Sequence, residues 1–319
     1  MILIKLGGSL ITDKSQPQTF LPDIMDRLAE EIKQFTIEHP LEPLIIGHGS
    51  GSFGHIEAKK YKTNQGFVND DSKLGFCRVH AVAAELNQLI IKTLLKHDLP
   101  VFPIQPSAII NTSVRSSPTT QNSLGGISTF HTPIIRQLLN QKLIPILYGD
   151  AVLDHTQGCA IASTETILNY LAIQLKSIDP ETGNQNPQIL KIIQATNVDG
   201  VLISKSNQTA SHSGISKSGN QNQIKNNPIS DVPNYLDSNN LQLVSKITSQ
   251  NFHQIKPHLT DSYGTDVTGG MLHKVESALN LAHTHHITTQ IINGTKPNYL
   301  YHALKSNLHI CTIITYDLK

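Results

Sequence analysis

Several stretches of this chain carry residues spaced for work on phosphate. MILIKLGGSLITDK sets Lys5 and Lys14 on either side of Gly7 and Gly8, with Ser9 next to the pair. Paired glycines let a backbone turn with its amides facing an anion, and the flanking ammonium groups supply charge that a plain turn does not need. GHGSGSFGH, residues 47–55, is a second small-residue loop; Ser50 and Gly51 lie within it and His55 stands at its exit. TyrGlyAspAla at 148–151 puts Asp150 at the C-terminal end of a strand, where open α/β sheets gather their ligands; a carboxylate there either caps a turn or, near two lysines, holds their ammonium groups in place. DVTGGMLHK, residues 266–274, opens a helix with Gly270 and carries Lys274 in its first turns. Free amides and the helix dipole favour negative charge at such a start.

These groups fit phosphoryl transfer. Its loose transition state asks for alignment and charge neutralisation more than for covalent chemistry. The sequence has no GxSxG elbow, no histidine–cysteine pair and no dense carboxylate cluster. An acceptor that is already an anion needs no general base, which favours a phosphate or carboxylate over an alcohol. Gly49, Gly51 and Gly54 also spell a dinucleotide fingerprint, but the acidic residue it needs would be Asp70 or Asp71, in the polar run NDDSK and not at a strand end. His283, His285 and His286 have no accompanying carboxylate or cysteine and read as a solvated helix end, so no metal site is assigned.

The elements that must position these residues alternate along the chain. Apolar runs at 1–4, 44–46, 100–110, 143–147, 189–193 and 288–292 read as strands. Helical periodicity covers 22–35, 74–97, 164–174 and 270–282, with proline-opened helices at 133–140 and 297–304. On the 74–97 helix, Phe76 and Val79 follow the second glycine loop closely enough to line an apolar pocket beside a bound phosphate. The pattern predicts an α/β fold: a three-layer αβα sandwich around an open, mainly parallel sheet. PETGNQNP at 180–187 marks a boundary between lobes 1–179 and 180–319, and the Ser-, Asn- and Gln-rich stretch 204–231 reads as a surface loop.

Composition narrows the partners. The 25 basic and 24 acidic residues nearly cancel, leaving no electrostatic footprint for nucleic acid or an anionic membrane. Cys77, Cys159 and Cys311 are odd in number and far apart, against a disulfide framework, and the expected setting is a reducing cytoplasm. No apolar run approaches the ~20 residues of a membrane span.

KLGGSLITDK, GHGSGSFGH, YGDAVLD, TNVDGVL, DVTGGMLHK and INGTKP follow in the order of the amino acid kinase superfamily, and resemble most its isopentenyl phosphate kinase branch. The LGG start and TNVDG turn are widespread there, whereas GSFGH and DVTGGM with its lysine are more specific. The resemblance implies ATP-dependent phosphorylation of a small isoprenoid monophosphate by direct in-line transfer, with magnesium carried on the nucleotide. By position, Lys5, Gly7, Gly8 and Ser9 would hold ATP phosphates and Lys14 the transferring group. Ser50 and His55 would grip the acceptor phosphate, and Gly51 would serve the nucleotide side. Asn197, Gly270 and Lys274 fall where the family binds ATP, and Asp150 where a carboxylate orders the lysines. The N-terminal lobe would take the acceptor, the C-terminal lobe ATP, and the protein would be a homodimer. Two departures stand out: Ser163-Thr164-Glu165 where SGD is usual, leaving the Thr164 amide as the acceptor's donor, and Asn197 for an aspartate. They leave open a kinase for another small anion, such as a phosphonate like fosfomycin or a carboxylate, and a non-catalytic nucleotide-binding relative.

Overall fold

The computed structural model describes residues 1–113, 126–176, 191–204, 241–259 and 270–317. The proposed boundary at 180–187, most of the polar stretch 204–231 and the 266–269 turn lie outside them. In chain order the first part runs β1 (Ile2–Leu6), α1 (Gly8–Ile11), β2 (Thr12–Asp13), β3 (Thr19–Phe20), α2 (Pro22–Glu38), β4 (Leu44–His48), α3 (Gly51–Lys60) and α4 (Asp70–Lys96). It continues with β5 (Val101–Pro103), α5 (Pro106–Ile109), β6 (Ile110–Thr112), β7 (Ile127–Phe130), α6 (Pro133–Asn140), β8 (Ile144–Tyr148), β9 (Asp150–Asp154), β10 (Gly158–Ala162) and α7 (Thr164–Lys176). The rest comprises β11 (Lys191–Thr196), β12 (Val201–Ser204), β13 (Leu241–Val244), β14 (Lys246–Ile247), α8 (Phe252–Ile255), α9 (Gly270–His285), β15 (Thr289–Asn293), α10 (Tyr299–Leu304) and β16 (Thr312–Ile314).

An eight-stranded sheet, ordered β14-β16-β15-β11-β1-β4-β8-β5, is parallel except where β15 meets β16. Period-2 alternation along β1 divides the core. Ile2, Ile4 and Leu6 pack with Leu28, Ile32 and Phe35 of α2, Leu86, Ile90 and Leu94 of α4, and Leu300 of α10. Leu3 faces the other way, with Ile135 of α6, Leu168 and Leu171 of α7 and Leu281 of α9. This is the three-layer sandwich expected from the alternation of strands and helices. Lys5, in phase with Leu3, is therefore directed at α7. The chain leaves β1 to build β4, β8 and β5 on one side and returns to β11 on the other, so β1 and β11 flank the switch in strand order. In register, Leu6 lies beside His48, His48 beside Tyr148, and Thr196 beside Asn293, which brings the C-terminal ends of five strands to one edge.

Local structure departs from expectation at three points. GSFGH is the start of helix α3 rather than an open loop, so His55 sits within a helix. Its two glycines disfavour a helix, but burial of Phe53 and the bond from the Ser52 amide to Thr12 Oγ1 (3.0 Å) override them. The 100–110 strand breaks after Pro103, and Pro106 opens α5. Asp150 begins β9, which turns antiparallel onto β10, instead of ending β8. NDDSK starts α4, with Asn69 accepting from the Ser72 amide at 2.8 Å as an N-cap; it is no strand end.

Candidate active site

The two glycine turns meet backbone to backbone at the strand ends. A Cβ on Gly8 would lie 2.4 Å from the Gly51 nitrogen, and one on Gly49 would lie 2.9 Å from the Gly8 nitrogen. No larger residue fits at Gly8, and Gly51 additionally holds φ +50. The Gly7 amide donates to Ala195 O of β11 at 2.8 Å, and Ser9 Oγ lies 3.5 Å from Asn197 Oδ1, at the limit of a hydrogen bond. Lys5, Gly7, Gly8, Ser9, Ser50, Gly51 and Asn197 thus share one edge of the sheet.

Lys5 Nζ forms an ion pair of 2.8 Å with Glu165 Oε2 at the start of α7, and the two side chains are 14% and 9% exposed. Burial alone would push the Glu165 carboxyl up, but Lys5, with Lys274 and His273 of α9 adding to its field, holds it below its ordinary range. Lys274, from a position far along the chain, adds its charge to the field at that carboxylate, and its Nζ lies 3.4 Å from Gly270 O. Glu165 Oε1 is buried without a hydrogen-bond partner, a vacant acceptor in a cationic setting. Gly270, with φ +62, opens α9 one turn before Lys274. The Thr164 side chain is buried, donating to His48 O at 2.6 Å and packing over Gly47, so its bulk points into the protein and not into the groove.

Asp150, expected to order the lysines, is engaged by other groups among the described residues. Its carboxylate takes His80 Nδ1 at 2.9 Å, the Ser107 amide at 3.2 Å and the Ala151 amide at 2.8 Å. Because Asp150 starts β9, its side chain turns toward α4 rather than toward β1. Burial raises its carboxyl above the ordinary range, against the pull of the His80 bond.

The remaining residues flank this centre. Lys14 is exposed on the β2–β3 hairpin, which rests on the first turn of α3 through the Gln18 amide to Ser52 O and the Thr19 amide to Ser52 Oγ, both 3.3 Å. His55, half-buried, is three residues beyond Ser52 on the same helix. On α4, Val79 is buried, and Phe76 packs edge-on against Phe67 at 5.5 Å between centroids. Sequence reasoning missed Glu165 as the partner of Lys5, the His80–Asp150 pair, and a buried His48 contacting Asn87. It also missed Lys296, which pairs with Asp199 at 2.7 Å where the ends of β11 and β15 meet. The acidic residue in Ser163-Thr164-Glu165 was the available signal for Glu165, since it stands where the superfamily pattern also has a carboxylate.

Comparisons with known proteins agree with this geometry. The Amino acid kinase family model matches residues 1–216. A Methanocaldococcus jannaschii protein named isopentenyl phosphate kinase is 30% identical over 95% of both chains, and one of that name from Methanothermobacter thermautotrophicus is 27% identical over 95% of both. Among solved structures, one described as isopentenyl phosphate kinase superposes with a TM-score of 0.69 at 25% identity, covering 99% of this chain and 100% of the other. Sheet order, glycine turns at the switch in strand order and similarity along nearly the whole chain converge: this chain is a member of the amino acid kinase family.

Proposed function

We propose that the protein transfers the γ-phosphoryl group of ATP to isopentenyl phosphate, or a related small isoprenoid monophosphate, giving the diphosphate. The observation that carries this is the Lys5–Glu165 pair at the junction of the Gly7–Gly8 and Gly49–Gly51 turns: a cation fixed where two amide-bearing loops meet. Similarity to isopentenyl phosphate kinases over 95% of the chain supplies the acceptor class. The β1–α1 turn and Ser9 hold ATP phosphates, with Asn197, Gly270 and Lys274 on the nucleotide side. Ser50, the Thr164 amide and His55 take the acceptor's phosphate, and Phe76 and Val79 border its apolar tail. Lys5 and Lys14 neutralise charge gathering on the transferred group, and Glu165 keeps Lys5 aligned for in-line attack by an acceptor oxygen that is already anionic.

Magnesium would arrive on the nucleotide phosphates and share their charge. Among the described residues no three His, Cys, Asp or Glu side chains group as a metal site. The reading also assigns the acceptor to residues 1–179 and ATP to 180–319, in a cytoplasmic homodimer. No helix of the described residues is long and apolar enough to cross a membrane. ADP release is the test, with isopentenyl phosphate set against fosfomycin, carbamate and amino acids. Preference for isopentenyl phosphate is expected; preference for another anion, or ATP binding without turnover of any acceptor, refutes the assignment.

A further inference from the structure

A fully buried imidazole lies beneath the second glycine turn, outside the roles assigned so far. His48, the last residue of β4, is 0% exposed, and Tyr148 of β8 stacks on its ring at 5.5 Å. Its carbonyl is fixed twice, by Thr164 Oγ1 at 2.6 Å and the Gly149 amide at 3.2 Å. Its ring is also fixed twice: Nδ1 lies 3.2 Å from Gly49 O, and Nε2 lies 3.1 Å from Asn87 Oδ1 of α4. Burial lowers the ring's pKa to about 4 against these hydrogen bonds, so near neutral pH it carries one proton. Gly49 O can only accept, which puts that proton on Nδ1. Nε2 is then an acceptor; two acceptors cannot bond, so the Asn87 carboxamide is assigned with its NH2 in the position of Oδ1.

The bond to Gly49 O has a consequence one atom further along. In a planar trans peptide, C=O and the following N–H point in opposite directions. Holding the Gly49 oxygen inward on the imidazole therefore sends the Ser50 N–H away from it, beside the Gly8–Gly51 contact. We infer that Asn87 and His48 are positioning residues for phosphoryl transfer: through the Gly49 carbonyl they aim the Ser50 amide at a phosphate oxygen in the groove. Gly49 O selects the tautomer, Asn87 anchors the ring through Nε2, His48 sets the peptide plane, and the amide becomes a preorganised donor. The phosphate's identity rests on the function proposed above; the tautomer and the peptide plane do not.

Two experiments test this. Nitrogen-15 NMR of the histidine rings in the wild-type protein, with no acceptor present, is expected to show a neutral Nδ1–H ring for His48 that resists protonation to well below pH 6. A neutral Nε2–H ring overturns the proposal whether or not the kinase assignment holds. The second compares variants in steady-state turnover, using whichever acceptor the panel identifies. Asn87→Leu is expected to lower kcat about tenfold to a hundredfold while KM for ATP stays within about twofold, as for a slightly misplaced reacting group. Asn87→Asp presents only acceptors to Nε2, so it draws the proton from Nδ1 and releases Gly49 near neutral pH. On acidification the imidazolium donates to both partners, and kcat relative to wild type is expected to recover. Tyr148 of β8 stacks on the ring, the Lys5–Glu165 pair lies on the opposite, α7 face of the sheet, and Asp150 of β9 pairs with His80 on α4. Those groups are the same in both variants. A wild-type kcat in Asn87→Leu, or the same pH profile in both variants, overturns the proposal; should Asn87→Leu fail to fold, the near-isosteric Asn87→Asp and the wild-type spectrum decide it.

Discussion

Two buried carboxylates stand near the same edge of the sheet and behave oppositely. Glu165 is held below its ordinary range because the cost of burial is outweighed by Lys5, with Lys274 and His273 behind it. Asp150 is pushed above its range because burial prevails over a histidine and backbone amides. The difference lies in the partners: a fixed cation offsets desolvation where a hydrogen-bonded imidazole does not. The sign follows for stability. Glu165 contributes above the unfolded value of 4.5, and that contribution is lost as pH falls through its folded pKa. The Asp150 charge is a cost that grows as pH rises from 3.8 through its raised folded pKa. Glu165 pairs with the lysine of β1 that the proposed function places at the transferred group; Asp150 ties the start of β9 to α4 through His80.

The most damaging test of that contrast is Lys5→Met, which strands a buried carboxylate. It is expected to cost about 3–5 kcal/mol in denaturant unfolding and to lower kcat by about a hundredfold or more. Adding Glu165→Leu should return most of the stability, since a buried ion pair contributes little beyond an apolar pair of similar volume, and none of the activity. Recovery of turnover in the double variant would mean that the pair is structural only.

His48 complicates acid titration of Glu165 and must be separated from it. Its folded pKa of about 4 against 6.5 means that about 3 kcal/mol of stability is lost as pH falls from 6.5 toward 4. His48→Gln should flatten that part of the stability curve and leave the Glu165 loss below it. An unchanged slope would show that the ring is not neutral and buried in the folded state. Asp150→Asn should have the smallest effect. It removes the cost of a buried charge and loses the accepting partner of the Ser107 amide, so unfolding should shift by no more than about 1 kcal/mol with kcat near wild type. A loss of turnover as large as that of Lys5→Met would return Asp150 to the lysine-ordering role.

Much of the frame was legible along the chain. The apolar run of β1, the proline that opens α6 at Pro133 and the long periodic face of α4 each follow from local spacing, and open parallel sheets gather loops at strand ends. That logic brought Lys5, Gly8, Ser50 and Asn197 to one edge. Long-range pairings were not legible, because nothing local marks them. Lys5 and Glu165 are 160 residues apart, and His48 and Asn87 are 39 apart on different elements. A carboxylate at a strand end looks the same in sequence whether it faces β1 or α4; only the immediate turn into β9 sends Asp150 to His80. Helix α3 was hidden for the opposite reason, since its two glycines argue against a helix that burial of Phe53 nonetheless enforces.

The central claim, that two phosphate-bearing molecules meet end to end over Lys5, is tested most directly by a crystal structure with a non-hydrolysable ATP analogue and isopentenyl phosphate together. The γ-phosphate should lie within hydrogen-bond reach of Lys5 Nζ while Lys5 stays paired with Glu165, and the acceptor phosphate should sit against the Ser50 amide and His55. A nucleotide whose phosphates approach Asp150 and His80 instead, with Lys5 outside the contact, would contradict the account.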